Sequence, residues 1–139
     1  MLVRSDWLFR MPSLRLAESQ AVRGERAYVY DLTWPAPDAA HPFGACHGLD
    51  LPLVFGDFTT GFGRLLGVPT PAHALHLAAR FRTAWTAFAT TGDPGWPAFD
   101  TEHRLTQAFG APPTVAAYPE ETSRRLWQDH EFPPLPLRA

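Results

Sequence analysis

Leu8, Met11, Leu14, Ala17 and Ala21 recur at the spacing of one helix face, behind Ser5 or Asp6 as a cap and ahead of Gly24 as a stop. Pro12 falls inside this pattern, where its ring and missing N–H predict a kink or the start of the main helical segment. Residues 27–34 then change character: aromatic and β-favouring types run up to Pro35, a strand signature that puts Tyr30 and Leu32 on one face and Val29 on the other. Residues 35–42 are a Pro/Ala-rich loop. Residues 49–55 are ambiguous by period alone, since Pro52 can open a helix or end a strand, and residues 56–69, with four glycines, read as a loop. Thr70 and Pro71 supply a cap and a first-turn proline for a helix reaching Thr91, with Leu77, Phe81, Ala84, Trp85 and Phe88 on one face and Gly92 as the stop. A turn over residues 93–97, a strand over 104–109, an edge strand over 114–118 and a helical turn over 124–127 complete the order, before a Pro-rich tail.

Composition narrows the class. A chain of 139 residues, 45% hydrophobic with a formal net charge of −2, can bury a core of its own and reads as one domain, 1–139, with no internal repeat. Twelve scattered basic residues lack the clustered positive charge that nucleic-acid binding requires. Lys, Asn and Ile are absent while Ala, Arg, Pro and Gly abound, a bias of GC-rich bacterial coding sequence. The single cysteine, Cys46, excludes an intrachain disulfide and leans the expected compartment toward the cytoplasm, with secretion left open. No signal-peptide core and no run of 18 apolar residues occur, so a membrane span is not expected.

Candidate chemistry concentrates in Phe43-Gly44-Ala45-Cys46-His47-Gly48-Leu49-Asp50, which leads into Leu51-Pro52-Leu53-Val54-Phe55-Gly56. Here a histidine stands in a glycine-flanked loop, a carboxylate follows three residues on, and an apolar segment closes the run. Acyl transfer needs a group that takes a proton from an attacking hydroxyl and returns it to a leaving alkoxide, and an imidazole titrating near neutrality suits both halves. Taken alone, His47 would be an ordinary loop histidine.

Its context resembles the segment that carries the triad histidine in the type-B carboxylesterases, the α/β-hydrolase group of cholinesterases and para-nitrobenzyl-type esterases, where a His-Gly-x-Glu/Asp run leads into Val-Phe-Gly. Further blocks are similar in family order: Arg10-Met11-Pro12-Ser13-Leu14-Arg15-Leu16-Ala17, Tyr28-Val29-Tyr30-Asp31, and Trp85 to Pro94 followed by Trp96-Pro97-Ala98-Phe99. The resemblance implies an α/β fold: the C-terminal part of an α/β-hydrolase, a few strands of a larger sheet with flanking helices, with residues 49–55 a short helix. It makes His47 the general base and Asp50 a buried structural residue hydrogen-bonded under the loop, not the triad acid.

The pattern also departs from the family. The serines are Ser5, Ser13, Ser19 and Ser123, none in Gly-x-Ser-x-Gly, and the Gly-Gly oxyanion segment is missing. The triad acid, placed by the family between serine and histidine, would lie upstream. The resemblance therefore implies a serine-esterase fragment, inactive alone, whose substrate is a small-molecule ester once the hydrolase is complete. The alternatives are a chain that docks onto a separate N-terminal hydrolase fragment, or a non-catalytic cholinesterase-like interaction protein. No cofactor and no metal are implied. His73 and His76, at i and i+3, have no Cys or carboxylate in the same turns and read as solvated helix residues. Cys46 and His47 are chain neighbours whose side chains point apart in an extended loop, which argues against a dyad. Residues 61–67 are out of register with a dinucleotide fingerprint and follow no clear strand.

Overall fold

The computed structural model describes residues 2–34, 45, 47–65, 72–110 and 112–131. The expected loop over residues 35–42, Cys46, the Thr70-Pro71 helix start and the Pro-rich tail lie outside them.

Three strands form one mixed sheet: β1 (Tyr30–Asp31), β2 (Leu105–Ala108) and β3 (Thr114–Ala117), in that spatial order. β1 runs parallel to β2 with Tyr30 opposite Gln107, and β3 returns antiparallel with Thr114 opposite Ala108. The β1 ladder is shorter than the predicted 27–34, yet the backbone keeps strand-like pairing beyond it. Gln107 N–H donates to Val29 O (3.0 Å), Phe109 N–H to Asp31 O (2.8 Å), and Thr33 N–H to Phe109 O (3.2 Å). Odd-numbered residues thus face β2, and the alternation of a strand turns the peptide groups of Tyr30 and Leu32 to the opposite edge. Among the described residues no strand pairs with that edge. β3 is exposed along its length, as an edge strand should be.

One face of the sheet is covered by α3 (Asp50–Phe55) and α5 (Ala72–Thr91), with α4 (Gly61–Leu65) between them in sequence. The α5 pattern works as predicted: Leu77, Phe81 and Ala84 are buried, Trp85 is half-buried, and Phe88 lies edge-on to Tyr28 while half-exposed. Phe81 packs on Phe109 at 4.2 Å between ring centroids and on Trp85 at 5.0 Å, with Tyr30 edge-on at 5.8 Å. Gly92 ends the helix in the left-handed region (φ 74°), and its N–H bonds to Phe88 O. Tyr28, Tyr30 and Leu32 all pack on this side, whereas Ala27 and Val29 pack on the other, the division their alternation predicts.

The expected loop over residues 56–69 is corrected by α4. Asp57 Oδ1 accepts the N–H groups of Thr59 and Thr60 (3.0 Å each), and its other oxygen accepts the Thr60 hydroxyl. These bonds hold the Asp57 carboxyl down at about 2 and nucleate a turn that the run of glycines concealed. Gly63 suits the turn because a Cβ there would meet the Asp57 carbonyl and the Phe58 backbone.

The opposite face carries α1 (Leu2–Ser5), a π-helical turn (Asp6–Arg10) and α2 (Met11–Val22). Neither Ser5 nor Asp6 caps the helix, since the chain is already helical at Leu2 and Ser5 makes no capping bond. Asp6 is instead buried, and Leu8, one of the five periodic positions, is exposed. The cause lies at Pro12: its ring crowds the carbonyl four residues back and it donates no bond, so the preceding turn widens and Met11 N–H reaches Asp6 O. Met11, Leu14 and Ala17 then bury against Phe99 and Tyr118. Gly24 (φ 77°) stops α2 with the paired bonds Glu25 N–H to Gln20 O and Gly24 N–H to Ala21 O. The last helix, α6 (Glu121–Trp127), is longer than the predicted 124–127, with the Glu121 carboxylate bonded to Arg124 and Arg125 in its first turns.

Candidate active site

β1 delivers the chain toward the histidine loop, and α3 carries it away. Between them Gly48 takes φ 83°, a value L-residues rarely adopt, and its carbonyl accepts Leu51 N–H (3.1 Å), folding residues 47–49 into a tight turn. Leu49 is 1% exposed and Leu53 fully buried, so they plug the turn into the aromatic core. His47 is left exposed on top, its imidazole stacked on Phe9 of the π-helical turn at 5.1 Å and 20°. Among the described residues no hydrogen bond engages the ring.

Asp50 is the first residue of α3, half-buried, where a negative charge meets the positive end of the helix. Its carboxylate makes no hydrogen bond among the described residues. It is sensed by Tyr30, whose hydroxyl is pushed up to about 12, first by burial and then by Asp50.

A groove of about 890 Å³ runs along the unpaired edge of β1 and is lined by His47, Asp50, Arg10, Asp31, Glu120 and Tyr118, among others. Burial raises the Asp31 carboxyl above its ordinary range, with Glu120 adding to the rise and Arg10 opposing it. Tyr118 is raised too, chiefly by burial, and its hydroxyl is buried without a hydrogen-bond partner among the described residues. One wall rests on a polar anchor: Ser123 Oγ donates to Asp6 Oδ2 (2.7 Å), and Arg10 donates to Asp6 Oδ1 (2.6 Å).

The other predicted residues separate cleanly from this site. His73 and His76 are exposed on α5, the former against the Trp34 ring. Among the described residues no hydrogen bond joins a serine hydroxyl to His47, and no three metal-ligating side chains cluster. No helix among them is long and apolar enough to cross a membrane. Sequence reading missed Phe9 and the Asp6–Ser123 anchor. Only the Asp6/Arg10 spacing of i, i+4 offered a signal, because the other contacts join distant parts of the chain.

Comparison with known proteins places this geometry. The model of the carboxylesterase family matches residues 2–127. The para-nitrobenzyl esterase of Bacillus subtilis is 29% identical over 87% of this chain and 25% of its own length. A probable N-octanoylanthranilate hydrolase of Rhodococcus erythropolis is 35% identical over 65% of this chain and 20% of its own. Among solved structures, the Geobacillus stearothermophilus carboxylesterase superposes with TM-score 0.76 at 29% identity, covering 91% of this chain and 27% of that one. A thermophilic para-nitrobenzyl esterase gives 0.78 at 29%, covering 87% and 26%. These neighbours are α/β-hydrolase esterases, and the chain spans about a quarter of the length of the relatives it matches. The family match over residues 2–127 makes this chain a member of the carboxylesterase family.

Proposed function

We propose that this chain serves ester hydrolysis by a serine esterase, with His47 as the general base. The observation that carries the reading is the exposed imidazole on a Gly48-dependent turn between β1 and α3, in a chain of the carboxylesterase family. In that reaction His47 accepts the proton of a serine hydroxyl as its oxygen bonds to the ester carbonyl. It then returns the proton to the departing alkoxide as the tetrahedral adduct collapses to an acyl-enzyme. Water repeats the cycle to release the acid.

No serine in these 139 residues stands in a nucleophile elbow, so in this reading the serine, the acid and the oxyanion donors come from a hydrolase portion outside these residues. The β1 edge, which no strand pairs among the described residues, and the groove lined by residues 27–32 support docking of that portion, because an open row of N–H and C=O groups recruits another strand.

The chain alone should not turn over para-nitrophenyl acetate at an enzyme-like rate. Co-expressed with upstream coding sequence that bears Gly-x-Ser-x-Gly, it should copurify as a complex and hydrolyse the ester, with His47→Ala lowering the rate at least about a thousandfold. Turnover by the isolated chain that His47→Ala abolishes, or a complex indifferent to that substitution, would refute the reading.

A further inference from the structure

We infer that Phe9 is a positioning residue for His47, its ring setting the plane of the imidazole through a face contact that hydrogen-bonds neither nitrogen. The inference rests on His47 acting as the general base. Proton transfer is sensitive to ring orientation, since rotation of the imidazole swings its nitrogens away from their partners. A hydrogen bond is one way to restrain that rotation, but among the described residues none engages His47. The restraint present is a ring stacked at 5.1 Å and 20°.

Packing of the core does not account for the placement of Phe9. It is 53% exposed and belongs to neither hydrophobic cluster. Its position follows from the turn that carries it, which is held at both ends. Asp6 is bonded by Ser123 and Arg10, and Met11 is buried with its N–H on Asp6 O. The wide turn forced by Pro12 thus presents Phe9 across the groove to a loop far along the chain.

The stack suits a base that changes charge. Offset aromatic packing favours the neutral ring, and the π face favours the imidazolium as well, so Phe9 can hold the group through the cycle without occupying either nitrogen. One nitrogen remains for the nucleophile's proton and the other for an orienting carboxylate.

Proton NMR of the full 139-residue chain tests the inference directly. The His47 Hδ2 and Hε1 resonances should lie upfield of those of the exposed His76. Phe9→Leu should remove that displacement, and Phe9→Tyr should keep it. Equal shifts for the two histidines in the unsubstituted chain, or a His47 displacement that survives Phe9→Leu, would overturn it. In the completed hydrolase Phe9→Leu should lower kcat about tenfold with KM within about twofold, and Phe9→Tyr should restore it. A rise in KM at unchanged kcat would instead make Phe9 a substrate contact and overturn the positioning role. His47→Ala separates the two claims: if it leaves turnover intact, the base assignment fails whatever the NMR result.

Discussion

The two faces of the sheet are held by different means. Under α5 the core is aromatic, with Phe81, Phe109, Trp85, Tyr30 and Trp96 linked by ring contacts. Under α2 the buried apolar group is smaller, Met11, Leu14, Ala17, Phe99 and Tyr118, and polar ties supplement it. Asp6 bonds Ser123 and Arg10, Arg15 Nη2 donates to the carbonyls of Trp127 and Gln128, and Arg104 approaches Glu18 at 3.9 Å. The helices on the first face also leave Phe55, Leu75 and Phe88 half or more exposed. The second leaves Trp7, Leu8 and Phe9 about half exposed. The α5 side thus relies on ring packing, while the α2 side adds polar ties and carries Phe9 against the histidine.

That contrast predicts a graded set of effects. Phe81→Ala, which removes the centre of the aromatic face, should cost about 3–5 kcal/mol in urea unfolding of the chain. A loss below about 1 kcal/mol would mean that the aromatic face does not carry the stability. Ser123→Ala should cost about 1–3 kcal/mol, because it leaves the buried Asp6 carboxylate short of a donor. The same substitution should loosen the turn that bears Phe9, read as partial loss of the His47 NMR displacement, whereas Phe81→Ala at permissive temperature should not.

The smallest effect is acid loss on the polar face. Bonds from Arg124 and Arg125 hold the Glu121 carboxyl down at about 2, well below its unfolded value. The folded state then binds fewer protons than the unfolded one, so this contribution is fully present above about pH 4.5 and disappears as pH falls toward 2. Glu121 is solvent-accessible, which limits the contribution to no more than about 1 kcal/mol. Thermal melts of the wild type and Glu121→Gln should converge at low pH and separate above pH 4.5. Curves that stay parallel would show that the pairing adds nothing.

Much of the α5 face was legible beforehand, since helical and strand periods assign Leu77, Phe81 and Ala84 to one helix side and Tyr30 and Leu32 to one strand side. The α2 face was less so. Leu8 fits the same period yet is exposed, because the widening at Pro12 rotates everything before it relative to α2. The helix over residues 61–65 was hidden by its glycines, of which Gly63 serves close approach to the Asp57 and Phe58 backbone.

For the candidate site, local sequence determined the histidine, its glycine-flanked loop and the family they indicate, whereas the helix after it was ambiguous by period and was implied only by the family resemblance. Only the tertiary structure decided that Phe9 meets His47, that Asp6 is buried on Ser123, and that among the described residues Asp50 lies half-buried without a hydrogen bond and no strand pairs with the far edge of β1. Each of these joins or leaves unpaired groups distant in sequence, and local periodicity carries no information about which distant groups the packed chain brings together.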